Sequence, residues 1–103
     1  MVKEKAFFIY LSLETRIRVR IARERRNVVD FVVQLEVEAK HGEWKAVVRY
    51  NYAHGFPHRD LIHANGTEEK ETIPIKDLDK VVVYAINDLK QKWEVYVRRS
   101  GYA

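Results

Sequence analysis

Two stretches of the chain, Arg16 to Arg23 and Val29 to Glu38, largely alternate apolar and polar side chains. In Arg16 to Arg23, Ile17, Val19 and Ile21 fall on one face and Arg16, Arg18 and Arg20 on the other, the pattern of a strand with one buried face. From Val29 to Glu38 the odd positions are Val29, Phe31, Val33, Leu35 and Val37, while Asp30, Gln34, Glu36 and Glu38 stand among the even ones, which predicts a second such strand. Lys5 to Leu13 reads differently. Phe7, Ile9, Leu11 and Leu13 share one face and Ala6, Phe8 and Tyr10 the other, so a strand at least partly buried on both sides is predicted.

Lys40-His41-Gly42-Glu43 reads as a two-residue hairpin loop, with Gly42 free to take the positive φ that a type I′ turn requires. Pairing around that loop sets Val37 against Ala46, Leu35 against Val48, Val33 against Tyr50 and Phe31 against Tyr52 on the core side. On the outer side Glu38 then meets Lys45 and Gln34 meets Arg49. Pro57 lacks a backbone donor, so Ala53 to Pro57 is predicted to be a bend. His58 to His63 follows as a short strand, Asn65-Gly66 as a turn, and Glu68 to Ile75 as an edge strand or loop. Asp77 is placed to cap a helix from about Leu78 to Arg99, with Leu78, Val82, Ala85, Leu89, Trp93 and Tyr96 along one stripe. Lys90, Lys92, Arg98 and Arg99 near its end complement the helix dipole. The predicted fold class is α+β, an antiparallel sheet of four to five strands with one long C-terminal helix packed on one face, in a single domain spanning 1–103.

Composition narrows the functional classes. A chain of 103 residues has room for one core, and 47% hydrophobic with 33% charged residues describes a folded protein. The absence of cysteine excludes thiol catalysis, cysteine-zinc sites and disulfides. The apolar run Ala6 to Leu13 is too short to span a bilayer and no cleavage pattern closes it, so a soluble, cytoplasmic protein without a membrane partner is expected. The net charge of +4 is unevenly spread: residues 1 to 26 carry eight Lys/Arg against three Glu, and residues 57 to 79 carry three against six acids. A basic N-terminal hairpin suits a phosphate-bearing partner such as RNA. Dense charge of both signs is also how heat-stable proteins decorate their surfaces.

The arginine stripe Arg16, Arg18 and Arg20 faces Asp30, Glu36 and Glu38 on the next strand, where opposite charges pair across the sheet. Arg25 and Arg26 in the following turn have fewer predicted partners and are the better candidates for nucleic-acid contact. No glycine-rich phosphate loop, basic helix or RNP-type motif accompanies them. Tyr50 and Tyr52 are expected to pack under the helix.

His54, His58, Asp60 and His63 fall within ten residues. Imidazole exchanges protons near neutral pH and also ligates metals. In an extended segment, however, His63 projects opposite to His58 and Asp60, and the spacing matches no zinc motif, so neither a metal nor another cofactor is expected. Metal-free RNA cleavage needs a base, an acid and a cation at the phosphate. His54 and His58 would transfer the protons, Asp60 would orient a histidine, and Arg49 or Arg59 would bind the phosphate. The same side chains would also serve simply to satisfy backbone groups at a bend, and both readings stand.

The segments VVDFVVQLEVE, EWKAVVRYNYAHGFPHRDLIHANG and YAINDLKQKWEVY resemble an uncharacterised family of small prokaryotic, often archaeal, proteins with an RYD-x-AHG-x-x-H-x-D core followed by a turn and a helix. More distantly, RYN-x-x-HG-x-x-H is similar to a segment of small RNase-like toxin families paired with helix-turn-helix antitoxins. That second resemblance implies an RNA substrate, an antitoxin-like protein partner, and site residues at Arg49, Tyr50, His54, His58 and Asp60. Where both patterns favour Asp after Arg-Tyr, this chain carries Asn51, which cannot act as a carboxylate base but makes the same local turn bonds. The other functional class compatible with the chain is a non-enzymatic interaction module, including a homodimer formed through a free edge at the first or fourth strand.

Overall fold

The computed structural model describes residues 1–53 and 55–102. Six strands precede one helix: β1 (Val2–Ser12), β2 (Thr15–Glu24), β3 (Asn27–Glu38), β4 (Trp44–Asn51), β5 (His58–Ile62), β6 (Glu68–Thr72) and α1 (Leu78–Ser100). A short 3₁₀ turn, Lys40–Gly42, joins β3 to β4. The strands are hydrogen-bonded in the order in which they occur, each antiparallel to the last, so the sheet is an open meander. The α+β class is as expected, but the sheet has six strands rather than four to five. The sixth has no apolar alternation to announce it. Its strand follows from the Asn65-Gly66 turn, where Gly66 sits at φ +92°, the Gly66 N–H donates to the His63 carbonyl (2.9 Å) and the Thr67 N–H donates to Asn65 Oδ1 (3.0 Å).

The helix begins where Asp77 accepts a hydrogen bond from the Asp79 N–H (3.0 Å) and ends at Gly101 in the left-handed conformation. It packs mainly across β3 and β4. Val81, Val82, Ala85 and Leu89 meet Ile17, Val19, Phe31, Val33, Leu35, Val48 and Tyr50 in one core. Burying a side chain such as Leu89 completely contributes about 1.5–3 kcal/mol. Among the described residues no helix is long and apolar enough to cross a membrane.

Three details depart from the sequence-based expectation, and each has a geometric cause. β1 is an edge strand lying beyond the helix, so Phe7, Ile9 and Leu11 are half-buried while Phe8 and Tyr10 are exposed on the other face. In β3 an extra residue slips the pairing with β2, so Asp30 opposes Ala22 and Val28 opposes Arg23; Val28 becomes the core residue and Val29 is exposed. The β3–β4 loop holds three residues, with His41 and Gly42 both at positive φ and the Ala39 N–H donating to the Glu43 carbonyl (2.7 Å).

A bulge at Val47, which has no ladder partner, divides the β3–β4 register. Val33–Tyr50, Gln34–Arg49 and Leu35–Val48 pair as expected, but from Glu36 onward the partners shift by one, to Ala46, Lys45 and Trp44. Val37–Ala46 and Glu38–Lys45 therefore do not form, and Lys45 instead pairs with Glu43 at 3.1 Å. Tyr52 lies past the last ladder pair. β4 is interior to the sheet, which leaves β1 and β6 as the two edges.

Candidate functional site

The helix covers one face of the sheet, and register assigns each nominated residue to a face. Strand residues directly opposed in an antiparallel ladder share a face, so Arg49 with Asp60 and Asn51 with His58 lie together on the open face. Arg59, opposite Tyr50, points the other way. His63 also lies on the helix side, with Nε2 2.8 Å from Glu69 Oε2. His54 lies outside the described residues. Among the described residues no group of three or more His, Asp or Glu is placed to hold a metal ion.

On the open face Arg49, Asn51, His58, Asp60 and Lys70 border a groove of about 400 Å³. Asn51 does two jobs there. Its Oδ1 accepts from the Ala53 N–H (3.1 Å), which shapes the bend, and its Nδ2 donates to Asp60 Oδ2 (3.4 Å). An aspartate at that position would set a second carboxylate against Asp60. His58 Nδ1 is 3.3 Å from the Phe56 carbonyl and Nε2 is 3.7 Å from Asp60 Oδ2, an arrangement that orients the imidazole. Lys70 Nζ stands 3.4 Å from Asp60 Oδ1. His58 and Asp60 are each only 3% exposed, so the charged atoms the groove offers to a ligand belong to Arg49 and Lys70, with Arg20 held by Asp30 and Glu4, and with the carboxylates of Asp30 and Glu68 also on its wall.

A lateral chain of polar bonds connects the groove to the other end of the face. Arg49 Nε donates to Gln34 Oε1 (2.7 Å), Gln34 Nε2 donates to Glu36 Oε2 (2.6 Å), and Arg16 Nε donates to Glu36 Oε1 (2.8 Å). Arg16 is then stacked between two rings, its guanidinium carbon 3.8 Å from the Trp44 centroid and 4.1 Å from that of Phe8. Tyr10 closes the cluster, its hydroxyl accepting from Arg16 Nη1 (3.4 Å) and its ring set edge-on to Trp44 at 6.3 Å. Phe8 is 47% and Tyr10 60% exposed.

The arginine stripe is partly paired, as the charge pattern implied. Arg16 holds Glu36, and Arg20 holds both Asp30 (2.9 Å) and Glu4 (2.7 Å). Arg18, opposite Gln34 and exposed, has no carboxylate within 4 Å among the described residues. Arg25 and Arg26 are exposed in the β2–β3 turn, at the groove end of the sheet, with Arg25 at φ +59°.

Under the helix a second polar cluster buries Tyr50, Tyr96 and Asp88 and reaches solvent at its rim through Glu71 and Lys92. The hydroxyls of Tyr50 and Tyr96 both donate to Asp88 Oδ2 (2.6 Å each), and Arg59 donates to the Tyr96 hydroxyl (2.9 Å) and to Glu71. Burial, and then the hydrogen bond to Asp88, raise both tyrosines above the ordinary range for a phenol. Arg59 is thus engaged in holding helix to sheet and is not brought to the groove.

The structure brings together Arg49, His58 and Asp60 of the nominated set. It adds a cluster that sequence reading did not assemble. Phe8 and Tyr10 share their parity with the stripe and were legible as its neighbours, whereas Trp44 reaches this face only through the slipped β3–β4 register. A single-helix antiparallel meander with one uncovered, arginine- and aromatic-bearing face is the class that fold and site define. The chain belongs to the family described as Domain of unknown function (DUF7718), which it matches over residues 1–101. No curated protein and no solved structure matches it.

Proposed function

We propose that this protein binds single-stranded nucleic acid, RNA in the first place, across the helix-free face of its sheet. The observation that carries this reading is the cluster of exposed Phe8 and Tyr10 with half-buried Trp44 around Arg16, in line with Arg18, which has no carboxylate partner among the described residues, and with Arg49. Single strands are held by rings on which bases stack and by cations that follow the phosphates, and an open sheet face presents both at once. Tyr10 and the outer side of Phe8 would take bases; Arg18 and Arg49 would take phosphates. β4 runs about 23 Å from Trp44 to Asn51, a length that suits about four nucleotides.

The groove supplies one end of that track. His58 and Asp60 are sealed beneath it, which favours binding over cleavage, because an acid-base catalyst must reach the 2′-hydroxyl or the leaving oxygen. The toxin-like ribonuclease reading with His54, His58, Asp60 and Arg49 remains as an extension of binding.

The test is fluorescence anisotropy of a labelled single-stranded RNA in EDTA, followed by a denaturing gel of the same mixtures. Salt-dependent binding that Arg18→Glu and Tyr10→Ala each weaken several-fold is the expected result. No binding at low salt would overturn the proposal. Cleavage that disappears in His58→Ala would extend it to a ribonuclease.

A further inference from the structure

The two edges of the sheet are built differently. β6 reads Glu68, Glu69, Lys70, Glu71, Thr72, and every one of these residues is exposed. A two-fold pairing of this edge centred on any of its first four residues sets a charge against its own copy. Centred on Lys70, it would also oppose Glu69 to Glu71. Like charges directly across strands repel, so this edge is protected against its own kind.

β1 is hydrogen-bonded to β2 alone and presents its other edge over eleven residues. Lys3, Glu4 and Lys5 occupy its first half, but Ala6 to Leu11 carries no charge. Phe8 and Tyr10 project into solvent on the open face, while Phe7, Ile9 and Leu11 are only half covered on the other, because α1 lies across β3 and β4. An uncharged edge with free N–H and C=O groups and apolar side chains on both faces is a template for a further strand.

We infer that β1 is a homodimer interface, in which β1 of a second copy pairs antiparallel through Ala6–Tyr10 and joins two six-stranded sheets into one. Self-complementarity selects a second copy. Opposed residues of an antiparallel pair share a face, so a two-fold register must match odd positions with odd and even with even. Centred on Phe8, that register sets Phe7 against Ile9 on the helix side, and Phe8 against Phe8 and Ala6 against Tyr10 on the open side. Lys5 then meets Leu11 and Glu4 meets Ser12, so no like charges face each other. Pairing β1 to β6 of another copy would instead lay the apolar run along four charged residues and propagate without closing. The bulge between Tyr10 and Ser12 ends the regular segment and limits slippage.

The inference does not depend on nucleic-acid binding, although the paired sheets would bring Phe8 and Tyr10 of both copies to the centre of one continuous face. Light scattering after size exclusion, over a series of concentrations, should give twice the 12.3 kDa chain mass. Phe8→Lys should give a monomer with an unchanged circular-dichroism spectrum. Because the chain has no cysteine, Phe8→Cys should oxidise to a disulfide-linked dimer while Glu69→Cys on the opposite edge stays single. A wild-type monomer at every concentration, or crosslinking of Glu69→Cys as readily as Phe8→Cys, would overturn the inference. If Phe8→Lys disturbs the spectrum, the cysteine pair decides.

Discussion

Arg49 and Arg59 sit on neighbouring strands one ladder position apart, yet they have opposite fates. Arg59 points under the helix, where it donates to Tyr96 beside a carboxylate already held by two tyrosine hydroxyls. Arg49 points to the open face, where one of its nitrogens bonds Gln34 and its cross-strand neighbour is the buried Asp60. The first arrangement holds a buried interface; the second leaves a guanidinium at the rim of a groove. What separates a structural arginine from an available one here is a single step of strand alternation combined with the side on which one helix packs.

The largest effect should come from the covered face. Leu89→Ala empties a fully buried position between helix and sheet and should cost about 2–5 kcal/mol in urea unfolding. RNA affinity should be unchanged at temperatures where the variant remains folded. A parallel loss of affinity in that folded variant would mean that the two faces are coupled.

Tyr50→Phe should cost about 1–3 kcal/mol, because it removes one of the two hydroxyls donating to the buried Asp88. Its pH dependence sharpens the contrast. The folded phenols titrate above their unfolded value, so their contribution is complete below about pH 10 and is lost as pH rises beyond it. Urea midpoints measured from about pH 8 to about pH 11 should fall in the wild type and fall less in Tyr50→Phe.

On the open face the expected order reverses, with small changes in stability and larger ones in binding. Arg18→Glu should leave stability within about 0.5 kcal/mol while reducing the salt slope of RNA binding by about one. Arg25→Glu and Arg26→Glu, in the turn beyond the groove, should have the smallest effect, at most one phosphate contact each and no change in unfolding. A larger loss there than at Arg18 would move the nucleic-acid track from the sheet face to the turn.

Much of the fold was legible in local pattern. Alternation in β2 identified Ile17, Val19 and Ile21 as core, Asp77 marked the helix start, and the central Gln34–Arg49 and Leu35–Val48 pairs followed from the position of the turn. The pairing of arginines in the stripe with acids on β3 was also readable, since both lie at even positions of adjacent strands. β6 was harder to read because an exposed, fully charged strand has no hydrophobic face to betray its period. Of the candidate site, the grouping of Arg49, His58 and Asp60 came from sequence spacing, but the sealing of His58 and Asp60 did not, because burial depends on neighbours brought in from β4 and β6.

By itself, then, the sequence determined the alternation of β2, the Asn65-Gly66 turn, the helix and its cap, since each depends on residues close together in the chain. Only the tertiary structure decided which face the helix would cover, that Trp44 would slip into register beside Arg16, and that β1 would lie at an unprotected edge. Those outcomes arise from a three-residue loop and a bulge at Val47 that together shift one end of a ladder by one position, and from a helix that spans the middle of the sheet. A bulge or a packing choice of that kind changes what faces solvent without leaving a mark in the local periodicity.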